Sequence, residues 1–295
     1  MLSVSPKVSV VIPVFNDLAG LDRCLAALKS QSVPDEMLEV IVIDNGSKVS
    51  VSIDSSSFDF LVKVFSCFVP GSFAARNLGV KKARGEVIAF IDADCWPERN
   101  WLAKGFTKVQ EKGGAAFIAG EAQLVMPENP SSIALYQCLE GFDQRSNVYD
   151  RQFSCTLNMF AEKRAFDVVG GFDERLFSGG DREWCWRAIR LGFEIDYEPE
   201  ALVYTLPRNS FGSAIRQVRR VVGGRRSLSS LGLSHLGEEK LQKKRTFFQA
   251  VKWILIDNDL SFLDSVRVLF VAIVLRTVGC FELFRLFFGG APERR

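Results

Sequence analysis

The sequence predicts an α/β fold: a mostly parallel central sheet flanked by helices, followed by a C-terminal helical extension. Three observations carry this expectation. Continuous apolar runs rich in β-branched residues recur in the first third of the chain, at residues 8–14, 39–43 and 86–91. Segments with apolar residues at helical spacing lie between them. Residues 247–288 are dense in Phe, Leu, Val and Ile over helical lengths.

Taken in order, residues 8–14 (VSVVIPV) read as a strand covered on both faces, because a strand between two helical layers needs no polar alternation. Residues 17–30 place Leu18, Leu21, Leu25 and Leu28 on one helical face. Residues 39–43 (EVIVI) form a second buried strand that stops at the turn signal Asp44-Asn45-Gly46. A Ser-rich loop, 47–57, leads to a third strand at 60–65 and a helix at 74–83, closed by Arg84-Gly85. Residues 86–91 (EVIAFI) are the fourth strand and run directly into Asp92-Ala93-Asp94. This alternation of strand and helix calls for a parallel sheet. The middle is less regular. Residues 127–132 are a loop, Gly170-Gly171 and Gly179-Gly180 bracket another, and a short helix at 182–191 ends at Gly192. The Ser/Gly-rich stretch 225–237 reads as a linker.

Composition narrows the function classes. A chain of 295 residues, 47% hydrophobic, holds one large domain with an appendage or two modest ones. A net charge of +2 supplies no global field for nucleic acid. The charge is uneven, however: residues 211–295 carry 15 Lys/Arg against 7 Asp/Glu, a net +8, leaving −6 for the rest. Such a basic tail suits an anionic partner such as phospholipid, or is a solvated helical surface. The seven cysteines form no CxxC pair, which disfavours a disulfide framework and a zinc site and implies a reducing cytosol. A short polar lead passes straight into the first strand, without the apolar stretch of a signal peptide. The single histidine, His235, leaves no multi-histidine metal centre and points to a carboxylate as any general base.

Within residues 247–288, the longest uncharged run is residues 268–275, far short of the ~18 that a membrane-spanning helix needs. On a helical wheel Asp264, Arg267, Glu282 and Arg285 share one side. A helix lying in a membrane interface fits this pattern; so does one packed on the protein's own core or on a partner subunit. The first reading sets the protein peripherally at the inner face of the plasma membrane.

The chemistry concentrates at strand ends. In extended chain, residues two apart point to the same side, so Asp92 and Asp94 can face one point. They follow a predicted central strand, where open α/β sheets bind ligands. Two adjacent carboxylates either hold a cation, Mg²⁺ or Mn²⁺ by their oxygen preference, or are solvated turn residues. Pro13-Val14-Phe15-Asn16-Asp17 and Asp44-Asn45-Gly46-Ser47 end the first two strands, and a parallel sheet brings all three clusters to one edge. There Asp44 could accept hydrogen bonds from a base or ribose, and Phe15 could flank a ring.

The strings VSVVIPVFND, VIVIDNGS, GSFAARNLGVKKARGEVIAFIDADC and GGFDERLFSGGDREWCWRAIRLG, in this order and at these spacings, resemble family-2 glycosyltransferases of the GT-A fold across residues 7–205. The resemblance implies an inverting transfer from a nucleoside-diphosphate sugar to an acceptor hydroxyl, and the basic tail suggests a glycan or lipid-linked acceptor. It implies a Rossmann-like nucleotide-sugar-binding part over about 1–120, an acceptor side over about 121–210, and a separate basic helical region at 211–295. Residue by residue, Pro13, Phe15, Asp17 and Asp44 would line the nucleoside pocket and Arg76 would sit near the diphosphate. Asp92 and Asp94 would hold the divalent metal, Asp94 the more directly, with Asp92 also on the donor. Asp181 would be the catalytic base, unless it serves to cap the following helix, and Gly180 and Trp184 would stand on the acceptor side.

Two positions depart from the family pattern. The family commonly has Gly-Glu-Asp before the base helix; this chain has Gly179-Gly180-Asp181. The histidine the family often supplies as a further metal ligand is missing, and Tyr204 or Thr205 occupies that neighbourhood. Residues 217–224 (QVRRVVGG) resemble the family's basic, glycine-containing segment over the donor diphosphate. A catalytically silent nucleotide-sugar-binding protein and a nucleotidyltransferase are the alternatives.

Overall fold

The computed structural model describes residues 5–233, 247–256 and 260–293. His235 and residues 234–237 of the expected linker lie outside them. The chain packs as two compact units, one comprising Met1–Gln123 with Asp143–Thr205, the other Leu124–Phe142 with Leu206–Arg295.

The first unit is built on eight strands: β1 (Val8–Val14), β2 (Leu38–Asp44), β3 (Leu61–Ser66), β4 (Val87–Ile91), β5 (Cys95–Pro97), β6 (Ala116–Leu124), β7 (Asn158–Glu162) and β8 (Glu194–Thr205). Its helices are α1 (Leu18–Leu28), α2 (Ser72–Lys82), α3 (Trp101–Glu111), α5 (Gln144–Tyr149), α6 (Lys163–Val169) and α7 (Gly180–Arg190); α4 (Ser132–Glu140) belongs to the second unit. Strand order is β3-β2-β1-β4-β7-β6-β8-β5. The parallel half is β1 to β4, as the apolar runs predict: β1 pairs parallel with β2 and β4, and β2 with β3. The sheet is mixed, because β4–β7, β6–β7 and β5–β8 pair antiparallel.

The parallel strands form where β-branched side chains are covered on both faces. All seven residues of β2 and all five of β4 are buried. Pro13 is tolerated inside β1 because pairing toward β4 ends at Val11↔Phe90, so no neighbour on that side requires its missing N–H. Large aromatics fill the space beneath the sheet. Phe166 and Trp184 stack at 4.7 Å, and Phe172 packs on both.

The second unit consists of α4 with α8 (Phe211–Ser230), α9 (Phe247–Leu255) and α10 (Phe262–Phe287). Val268, Val271, Ala272 and Leu275 form the buried stripe of α10 at helical spacing. Val271 and Leu275 pack with Ile133 and Ala214, while Val268 and Ala272 pack with Leu135 and Ile254. Tyr136 bridges both clusters, and burial raises its phenol to about 12. The linker expected from residue 225 is helical as far as Ser230, because α8 continues through buried Gly223 and Gly224 to buried Leu228. The QVRRVVGG segment is therefore regular helix. No helix of the described residues is long and apolar enough to cross a membrane.

Candidate active site at the sheet edge

Parallel register aligns the strand ends. Val14 stands opposite Asp44, and Asp44 opposite Ser66, so β1, β2 and β3 stop together. The loops beyond them are joined by side chains. Asn16 Oδ1 accepts from the Lys48 backbone amide at 2.8 Å, while the Asn16 backbone N–H donates to Ser47 Oγ at 2.9 Å. Asn16 takes this position in the left-handed region, φ 55°, which Asn tolerates better than most residues. Asn45 donates to the Cys67 and Val69 carbonyls and accepts from the Gly71 amide at 2.8 Å, just ahead of α2. Phe15 is 40% exposed at this rim. Asp44 is buried, and its carboxylate accepts from the Ser47 amide at 2.9 Å and the Val51 amide at 3.5 Å. Its first task is therefore to shape its own loop. Asp17 caps α1, accepting from the Gly20 amide at 2.9 Å.

Gly20 explains why α1 starts against the Asp92–Asp94 turn. A Cβ there would lie 2.9 Å from the Ala93 carbonyl oxygen and 2.4 Å from Asp17 Oδ2, so only glycine permits the approach. At the turn Asp94 is exposed and Asp92 half-buried. Beneath them lie Cys24 and Cys95; burial, with Asp94 and Asp92 close by, pushes both thiols up and keeps them neutral. At the position where a family histidine was expected, Thr205 Oγ1 donates to the Asp94 carbonyl at 3.2 Å. Thr205 thus braces the turn through its backbone.

Arg76 occupies the centre of the site. It is 4% exposed, forms an ion pair with Asp92, and lies 5.7 Å from the Phe73 ring centroid. Its Nε has no hydrogen-bond partner among the described residues. A buried cation with an unmatched N–H is a costly arrangement and a common signature of a binding position.

Asp181 sits in the first turn of α7, whose N-cap is Gly179. The expected helix start at Arg182 is therefore two residues late, and Asp181 is not the cap. Its carboxylate accepts from the Arg182 amide at 2.8 Å. Burial raises its pKa above the ordinary carboxylate value; the Arg182 amide and the charges of Arg76 and Arg182 oppose the shift, and Asp92 adds to it. Asp181, Arg76 and Asp92 thus belong to one electrostatic neighbourhood.

The two residues expected on the acceptor side are both enclosed. Trp184 is fully buried, stacked on Phe166 with its indole donating to the Gly170 carbonyl at 2.8 Å, so it packs the core and cannot touch an acceptor. Gly180 is also buried, and a Cβ there would lie 2.7 Å from the Phe73 ring. The side chain missing at 180 is replaced in space by the phenyl ring of Phe73.

Sequence reasoning also missed residues that position the site. Asn77 accepts from the Phe172 amide and donates to the Phe172 carbonyl and to Glu174, holding the loop ahead of α7. Arg187 donates to the Val169 and Gly171 carbonyls and pairs with buried Glu183. The only available signal was their place inside the AARN and GGF strings.

With this geometry in hand, comparison with known proteins is decisive. The sequence profile described as Glycosyl transferase family 2 matches residues 9–186. The chain belongs to glycosyl transferase family 2. This glycosyltransferase is 30% identical over 260 residues to Glycosyltransferase AglE of Haloferax volcanii, covering 87% of this chain and 82% of the relative. It is 33% identical over 207 residues to the pre-mycofactocin glycosyltransferase of Mycobacterium tuberculosis, covering 66% of this chain and 42% of that one. Among solved structures, the mannosyltransferase PcManGT from Pyrobaculum calidifontis, in complex with GDP-Man and Mn²⁺, superposes with a TM-score of 0.58 at 16% identity. That match covers 96% of this chain and 82% of the mannosyltransferase. S. aureus TarS 1-349 in complex with UDP gives a TM-score of 0.53 at 18% identity, covering 96% of this chain and 92% of TarS 1-349. The fold of the family-2 enzyme is accordingly GT-A.

Proposed function

We propose that the enzyme transfers a sugar from a nucleoside-diphosphate sugar to an acceptor hydroxyl with inversion, and that Asp181 is the general base. The observation carrying this reading is the placement of Asp181 in the first turn of α7, in the neighbourhood of the buried Arg76–Asp92 ion pair. Burial raises the basicity of its carboxylate, against the opposing charge of Arg76, beside a cation suited to a diphosphate. Neighbours of the same fold that carry GDP-Man and UDP support the donor class.

Asp181 takes the proton of the acceptor hydroxyl, and the oxygen attacks the anomeric carbon from the face opposite the nucleotide. Arg76, itself buried, meets the negative charge developing on the leaving diphosphate. Phe15 and the braced loops of Asn16, Asp44 and Asn45 orient the nucleoside. Among the described residues no group of three or more Asp, Glu, His or Cys could cage a metal. The Asp92 and Asp94 pair fits the looser binding of Mg²⁺ or Mn²⁺, which take one or two carboxylates together with phosphate oxygens and water. When bound, such an ion supplies Lewis acidity to the leaving group. The acceptor is a glycan or lipid-linked hydroxyl.

The test is Asp181→Asn, assayed with a panel of nucleotide sugars and Mg²⁺ or Mn²⁺ for nucleoside diphosphate release. Turnover is expected to fall ~10²–10⁴-fold with donor affinity retained. Wild-type turnover in this variant would remove Asp181 from the mechanism. Pyrophosphate in place of nucleoside diphosphate would mark a nucleotidyltransferase, and donor binding without turnover in the wild type a silent binding protein.

A further inference from the structure

α10 is a helix with two apolar sides. Its buried stripe, centred on Val268, Val271 and Leu275, meets the rest of its unit. On the opposite side Phe262, Phe270, Ile273, Phe281, Phe284 and Phe287 are exposed, Phe262 at 76% and Phe287 at 74%. At 100° per residue these six fall within an arc of about 120° facing away from the buried stripe. So continuous an apolar surface marks a contact.

The charges say what it contacts. The exposed charged residues of α10 are Arg267, which also pairs with Asp264, and Arg276. Its carboxylates are turned away from the apolar arc: Glu282 is buried against Arg285, with Arg219 4.0 Å away, and Asp264 is bonded to Ser261 and Arg267. The outward surface is thus phenylalanine bordered by arginine, without an exposed carboxylate. Two copies joined face to face would bring arginine rims together. An anionic bilayer offers acyl chains to the rings and phosphates to the guanidinium groups. At 26 residues the helix is ~39 Å long, yet it lacks the apolarity to cross a membrane, which leaves it lying along the surface.

We propose that this face of α10 seats the enzyme on an anionic lipid bilayer, with the phenylalanines in the acyl boundary and Arg267 and Arg276 at the headgroups. The seat is independent of sugar transfer; its value to catalysis, a higher effective concentration of an acceptor held in the same bilayer, rests on the proposed function.

The test is cosedimentation of the full chain with phosphatidylcholine vesicles, with and without phosphatidylglycerol. Binding is expected with the anionic vesicles and at least tenfold weaker with the neutral ones. The triple variant Phe262→Ser, Phe281→Ser, Phe287→Ser is expected to lose binding at least tenfold, with unchanged Tm and unchanged turnover of soluble substrates. The double variant Arg267→Gln, Arg276→Gln is expected to lose the anionic preference alone. A folded wild type that stays in the supernatant overturns the proposal. So does a serine variant that still binds, or a concentration-dependent dimer that the serine changes dissolve, which would make the face a protein interface.

Discussion

The two units each contain an ion pair with one deeply buried partner, and the pairs are mirror images. At the sheet edge the cation is sunk: the Arg76 side chain is 4% exposed and that of Asp92 37%. In the helical unit the acid is sunk: the Glu282 side chain is 1% exposed and that of Arg285 38%. Arg285 satisfies Glu282 with two hydrogen bonds, at 2.8 and 2.5 Å, and gives another to the Ala291 carbonyl. Arg76 instead keeps an unmatched Nε. In the helical pair Glu282 is matched by Arg285, although the neighbouring Arg219 also has a buried Nε without a hydrogen-bond partner among the described residues. The sheet-edge pair leaves its demand open beside Asp181, where an anionic ligand is expected.

Substitutions separate the two roles. Arg285→Ala removes the main partner of a buried carboxylate and is expected to lower stability in urea unfolding, while transfer per folded molecule stays at the wild-type level. Arg76→Met reverses the balance: kcat/KM is expected to fall about 100-fold with a smaller loss of stability. Removing its charge should also move the acid limb of the pH–rate profile upward, because Arg76 opposes the raised pKa of Asp181. An unmoved limb would break the link between the two residues. Gly180→Ala presses a methyl onto Phe73 and is expected to cost about 1–2 kcal/mol, recovered in part by adding Phe73→Leu.

The pH dependence of stability sharpens the contrast further. Arg285 holds Glu282 below the usual Glu range against the cost of burial. Its contribution is therefore present above the unfolded value and lost as pH falls through the folded one. Asp181 is shifted upward, so its neutral form favours folding and that contribution is lost as pH rises past the usual carboxylate range. Melting curves of Glu282→Gln and Asp181→Asn should each lose one of these opposite slopes, and Asp181→Asn should raise Tm near neutrality.

What the sequence made legible follows the physics of burial. β1, β2 and β4 were readable because strands covered on both faces are written as unbroken β-branched runs. β8 was not: its exposure drifts from edge to core along twelve residues and it contains Pro199. The convergence of Asp92, Asp94 and Asp44 on one edge followed from parallel register alone. Trp184 misled because tryptophan serves cores and sugar sites alike, and the difference lies in Phe166 and Gly170, distant in sequence. The tail misled in another way. The wheel grouped Asp264 with Glu282, and the fold turned Glu282 inward, where Arg285 and Arg219 neutralise it, and left the phenylalanines largely exposed, with Phe270 edge-on to Phe211.

Asn45 has a consequence of its own. With three partners already chosen inside the protein, its amide fastens neighbouring loops before any nucleotide arrives. These loops are joined in advance of association, so donor capture is expected to be single-phased in stopped-flow binding, like a key entering a cut lock.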